Sequence, residues 1–148
     1  MKIHHLIGYL ALVALLGAAA FIRLAPSDPA RWHTDPGTIA VTDCTRLTTA
    51  RTSARVTCLR PEDPAALLAA LDSTALATPR TIRLAGSAET GRITWVSRSF
   101  IWGFPDYTTA QATQTAQGTK LDILARQRFG DHDWGVNTAR LQAWLSRL

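Results

Sequence analysis

The sequence predicts an α+β fold, an antiparallel sheet packed by helices, behind one N-terminal transmembrane helix. Three observations carry that expectation. Residues 6–22, LIGYLALVALLGAAAFI, form an apolar run without a charge, at the short end of the length that spans a bilayer. From Pro79 onward the apolar residues recur mostly with period two, the spacing of strands that bury one face. At residues 61–74 and 137–148 they fall instead on a helical stripe.

The apolar run has two readings. As an uncleaved signal anchor it extends through Leu24 and Ala25, because Arg23 near a helix end can carry its charged head to the interface. As a signal peptide it is cut after Ala18-Ala19-Ala20. The run is longer than the roughly 7–15 residues of a secretory core, which favours the anchor, and Pro26 argues against a cut after Ala25. Lys2 precedes the segment and Arg23 and Arg31 follow it, so flanking charge leaves the orientation open. The expected division is residues 1–25 as anchor, 26–37 as linker and 38–148 as folded domain. The linker PSDPARWHTDPG holds three prolines and a glycine and reads as extended chain. Its Trp32 suits the headgroup level, where an indole is half apolar and half wet.

Two segments, TIAVTDC (38–44) and SARVTCL (53–59), read as strands that fold back on each other. They carry the two cysteines of the chain, Cys44 and Cys58. A disulfide between them closes a loop of about 15 residues, worth about 3 kcal/mol in chain entropy. Two buried free thiols are the alternative. The even count together with the export signal favours the disulfide and an oxidising compartment. Next, PEDPAALLAALDST (61–74) opens with Glu62, Asp63 and Pro64, all helix-starting features, and carries the stripe Leu67, Leu68 and Leu71.

TIRLAGS (81–87) and RITWVSRSF (92–100) form a hairpin across AETG, with Gly91 at its exit. In the second strand Ile93, Trp95, Ser97 and Ser99 share one face, and Thr94, Val96, Arg98 and Phe100 the other. IWGFPDY breaks the run. YTTAQATQT (107–115) is rich in threonine and poor in apolar residues, and is expected to be solvated on one face or to lie at an edge. Ala116-Gln117-Gly118 turns the chain into LDILARQRF (121–129). NTARLQAWLSRL (137–148) is an amphipathic helix with Leu141, Trp144, Leu145 and Leu148 on one stripe, Asn137 as N-cap and Arg147 in the last turn. This order of strand or hairpin, helix, four strands and helix resembles the TATA-binding-protein-like class, to which the START-like helix-grip folds belong.

A net charge of +5 rests on fourteen arginines against two lysines. The arginines are scattered from Arg23 to Arg147 without a basic run, so they read as a solvated surface. No signature of nucleic-acid recognition is present, and nucleic acid is not an expected partner. His33 and His132 added to the two cysteines match no metal-ligand spacing, so neither metal nor cofactor is expected.

The segments TPRTIRLAGS, VSRSFIWGFPDYT, LDILARQRFG and DHDWGVNTARLQAWL resemble the bacterial family known as domain of unknown function number 1499. The resemblance covers residues 61–148 well, is weaker over 26–60 and is absent over the anchor. Its motifs fall on Arg98-Ser99, on Pro105-Asp106, on Arg126 with Arg128, and on Asp133, Gly135, Val136 and Asn137. The family pattern carries a serine before the turn aspartate, and often one before the first arginine of the strand. His132 and Ala125 stand at those places. The resemblance implies no activity.

The candidate site is therefore read from the residues themselves. Arg98, Arg126 and Arg128 on neighbouring strands, with Asp106 and Asp133 at strand ends, suit Arg–Asp hydrogen bonds that fix a sheet corner. The sharper reading makes Arg98, Asp106, Arg126, Arg128, Asp133 and Asn137 a site for phosphate or carboxylate, helped by a helix N-terminus. Trp95, Trp102, Phe104, Tyr107 and Trp134 read as core and loop anchors, or in a helix grip as the lining of a cavity under the last helix. The expected function is a non-catalytic binding or interaction module for a lipid-like or anionic ligand. It would sit in the inner membrane through residues 6–25, single-pass, with the domain facing the periplasm. The alternative is a hydrolase-like enzyme using the Arg/Asp/His corner around residues 98–140, with Ser97, Ser99, His132 and Asp131 as the remaining candidates.

Overall fold

The computed structural model describes residues 3–148. Lys2, one of the flanking charges weighed above, lies outside the described residues. The apolar run folds as helix α1, Ile3–Leu24. Its 22 residues span about 33 Å at the α-helical rise, enough to cross a bilayer. Its most apolar stretch has a mean hydropathy of 2.1, and none of that stretch is buried within the protein. A single turn, α2 (Pro29–Trp32), follows, with Asp28 capping the Ala30 N–H and Pro29 at its first position.

The domain then runs β1 (Thr48–Ala50), β2 (Ser53–Arg60), α3 (Pro64–Leu76), β3 (Thr81–Ser87), β4 (Arg92–Arg98), β5 (Pro105–Thr115), β6 (Gly118–Gln127) and α4 (Val136–Leu145). The strands form one sheet in the order β1-β2-β6-β5-β4-β3, and every neighbouring pair is antiparallel. The protein is thus a mixed α+β fold with an apolar N-terminal helix. Asp63 caps α3 by accepting from the Ala65 and Ala66 N–H groups, which fixes where the helix begins.

α3 and α4 cover one face of the sheet. Their Leu67, Leu68, Leu71, Leu141 and Trp144 close on Val56, Ile93, Trp95, Leu121 and Ile123. Trp95 and Trp144 meet edge to face at 5.5 Å, and each indole N–H has a partner, Asp72 for Trp95 and Thr78 for Trp144. Both rings belong to the buried core between the sheet and the helices. The Asp72 carboxylate also receives Arg83, so one buried acid ties α3 to β3 and β4.

Residues 26–37 lie across the second face as a strap. Trp32 is only 7% exposed and stacks on Tyr107 with ring centroids 3.8 Å apart, so its indole is held inside the domain and not at a headgroup level. The strap also explains β5. That strand is central and not at an edge, and it is buried or half-buried from Pro105 to Ala112, with solvent reaching only its last three residues. Its Thr109 hydroxyl bonds Thr94 and the Trp32 carbonyl, which lets a β-branched polar residue fill a buried position.

Three further expectations are corrected. Residues 38–44 are not a regular strand. Chain reversal at Arg51-Thr52 pairs residues 48–50 with the start of β2, and the earlier segment runs alongside the rest of β2, held by a single parallel bridge at Thr42 and Cys58 and by Cys44, which is disulfide-bonded to Cys58. α4 begins one residue earlier than expected, with left-handed Gly135 at the cap position and Asn137 already inside the helix. It ends at Leu145, leaving Arg147 beyond its last turn.

Candidate functional site

The end of α1 docks on one end of the sheet. There the chain reverses at residues 51–52, 99–104 and 128–135. Phe21 of α1 meets Phe129 edge to face at 6.0 Å, and Phe104 also packs on Phe129, at 6.3 Å. Arg23 donates to the Ile101 carbonyl. The expected site residues all lie near this end, but in three separate groups.

The first group fixes the start of α4. Asp133, buried, accepts from the Gly135 N–H and from both the backbone and the side-chain amide of Asn137. The Asn137 side-chain oxygen accepts from Arg140, and Arg140 reaches on to Asp106 at 3.1 Å. Burial raises the Asp106 carboxyl above its ordinary range. Arg140 opposes that rise, and the neighbouring Asp133 charge adds to it. The Arg–Asp contact of this corner is made by Arg140, and not by Arg98, Arg126 or Arg128. Its place three residues beyond Asn137, one helical turn on, was the signal in the sequence.

The second group pins the strap. Arg126 donates to the Trp32 carbonyl and the Thr34 hydroxyl, with its guanidinium 5.1 Å from the Trp32 ring centre. Burial lowers the Arg126 pKa from its ordinary value. Arg128 donates to the Pro26 carbonyl and the Tyr107 hydroxyl. Both side chains therefore face the strap, on the side of the sheet away from α4.

The third group is Arg98, which opens onto a groove. The groove, about 440 Å³, is lined by Arg23, Arg80, Arg98, Ile82, Val96 and Phe100, together with Ser99 and Gly103. Its three arginines hold backbone carbonyls: Arg23 that of Ile101, Arg80 that of Arg98, and Arg98 that of Gly103. None of the three pairs with a carboxylate among the described residues. Arg80 lies over the Phe100 ring at 5.2 Å, and its φ of 58° is a left-handed conformation uncommon for a residue with a side chain. Arg23 and Arg80 were missed in the sequence because both stand outside the motifs, one in the anchor and one in a turn.

The serines and His132 are held elsewhere. Ser97 is buried against Thr81, Ser99 accepts the Phe104 N–H, and His132 Nδ1 accepts from the Trp134 N–H. Asp131 is exposed beside Arg51. Among the described residues no three His, Cys, Asp or Glu side chains are placed to share an ion. The aromatic set divides: Trp95 and Tyr107 are core, whereas Trp102 and Trp134 are 45% and 86% exposed.

A strap pinned by Arg126 of β6 and Arg128 just beyond it, followed by the D-x-G-V-N turn, is the arrangement on which comparison with known families bears. The family described as Protein of unknown function (DUF1499) matches residues 24–148. The chain belongs to the DUF1499 family. No curated protein matches it. The DUF1499 match begins at Leu24, so it takes in the strap, the disulfide and the whole sheet. In this DUF1499 chain Arg126, Arg128, Asp133 and Asn137 all make contacts that hold the fold, and Arg98 alone of the expected residues lines the groove.

Proposed function

We propose that this DUF1499 chain is a membrane-anchored, non-catalytic binding module whose domain faces the periplasm and whose ligand is an anionic amphiphile. One observation carries the reading: a groove lined by three guanidinium groups, none paired with a carboxylate among the described residues, together with Ile82, Val96 and Phe100. Guanidinium forks suit phosphate or carboxylate oxygens, and the apolar lining suits a hydrocarbon stem. The length of α1 and the first charge at its end support an anchor in the inner membrane. The Cys44–Cys58 disulfide supports an oxidising compartment.

The test is the native mass of the full chain, extracted from the membrane in mild detergent. The expected result is intact Met1–Leu148 carrying a phosphorus-containing or carboxylate amphiphile that is lost on denaturation and absent from Arg98→Ala of unchanged helix and sheet content. A bare chain, or an adduct retained by Arg98→Ala, overturns the groove as the ligand site. A chain that begins near Phe21 overturns the anchor.

A further inference from the structure

The groove runs into a second feature, of which the binding reading uses only Phe100. Between β4 and β5, Phe100, Ile101 and Trp102 project in sequence and are 78%, 68% and 45% exposed. Three consecutive large apolar residues at the tip of a loop are a poor match to water. The loop is not floppy filler. The Ser99 hydroxyl accepts from the Phe104 N–H, the Ser99 N–H donates to the Phe104 carbonyl, and Arg98 holds the Gly103 carbonyl. Gly103, at φ +71°, lets the Arg23 stem approach within 3.0 Å of where a β-carbon would stand.

Arg23 sets the depth of this loop. It is the first charge after the apolar run of α1, so in a spanning helix its guanidinium marks the headgroup layer. Its partner is the carbonyl of Ile101 itself. The tip of the loop and the exit of the helix from the hydrocarbon are therefore at one level. Trp102 brings an indole to the depth where indoles partition best. Arg80 and Arg98 stand on the domain side of the same groove, without a carboxylate partner, where lipid phosphates would lie. Among the described residues, the two other than glycine with a left-handed backbone, Arg80 and Trp134, lie at this end of the sheet. Conformations of that kind persist where the surroundings enforce them and cluster at functional positions.

We infer that the Phe100-Ile101-Trp102 loop is a second membrane contact, inserted in the interface beside α1, and that Arg23, Arg80 and Arg98 bind the phosphates of anionic phospholipids of the same bilayer. The inference rests on the binding reading above and names its ligand. The domain then stands on the membrane at two points, with its β4–β5 loop and the Arg80 turn against the lipid and its β3–β4 and β5–β6 turns away from it.

The experiment uses the full chain in phospholipid vesicles, with tryptophan emission as the readout. Trp32, Trp95 and Trp144 are buried, so Trp134→Phe leaves Trp102 as the exposed indole. Bromine is placed on the acyl chains of phosphatidylglycerol in one preparation and of phosphatidylcholine in the other. Quenching that Trp102→Phe abolishes is the expected result, stronger from the brominated phosphatidylglycerol. That preference should drop about 25-fold in Arg80→Ala/Arg98→Ala, two charges at about 1 kcal/mol each near an anionic surface. Arg80→Gln, at an exposed position, repeats the test where the double variant disturbs the loop. Emission of Trp102 that is blind to both brominated lipids overturns the membrane contact. Equal quenching by the two lipids, or a preference erased by added inorganic phosphate, overturns phospholipid recognition. An amphiphile retained in the native mass alongside an unquenched Trp102 would leave the binding reading standing and remove this one.

Discussion

His33 shows how tightly the strap is fitted at the level of one residue. Its Nδ1 and the Thr94 hydroxyl lie 2.9 Å apart. The ring also presses on Gly86, where an added β-carbon would stand 2.7 Å from His33 Cε1 and 2.0 Å from the Arg92 carbonyl oxygen. Gly86 also takes a φ of +80°, which glycine adopts without strain. Burial, and then the neighbouring Arg92 charge, hold the His33 imidazole below its ordinary pKa. The folded protein thus takes up this proton less readily than the unfolded chain. The sign follows: the contribution of His33 to stability is complete above the unfolded value of about 6.5 and is lost as pH falls from there through the folded value. Urea midpoints measured from neutral to mildly acidic pH should fall across that window, and His33→Gln should flatten the fall. A slope unchanged in His33→Gln would assign the acid sensitivity to other groups.

At the scale of elements, the strap does for the second face what α3 and α4 do for the first. Trp32 is its anchor, stacked on Tyr107 and crossed by Arg126. Trp32→Ala should cost about 3–5 kcal/mol, the usual range for a large aromatic removed from a core, read as a lowered urea midpoint. A loss below about 1 kcal/mol would mean that the strap does not contribute to the cooperative fold. The strap was the least legible part of the sequence. Its prolines and lack of period read as linker, because the contacts that order it are hydrogen bonds from Arg126 and Arg128, some ninety or more residues away. The threonine-rich β5 was misjudged for the same reason, since only the strap supplies its cover and its partners. In contrast, α3, β3, β4 and the body of α4 were legible, because their caps and periods are local. The site was legible in part. Arg98 was named from the Arg98-Ser99 motif and its place on a strand, whereas Arg80 joins it through the pairing of β3 with β4 and Arg23 through the docking of α1 on the β4–β5 loop.

For the whole molecule, the disulfide joins the least regular stretch of the domain to its sheet. Residues 38–47 contain one isolated bridge to β2 and no strand, and they carry the strap on one side and β1 on the other. Cys58 is fully buried in the core, so Cys44–Cys58 fastens that passage from the inside. Closing a loop of this length removes about 3 kcal/mol of entropy from the unfolded chain. For a domain of this size that corresponds to a fall of roughly 10 °C in the midpoint of thermal unfolding on reduction. The fold itself should survive, because α3, α4 and the four strands β3–β6 owe nothing to the bridge. Calorimetry of the oxidised and the reduced full chain in the same detergent measures the difference. An equal midpoint would show that Thr42, Ile39 and their bonds to Thr57 hold the passage unaided, and the bridge would then cease to support an oxidising compartment for this domain.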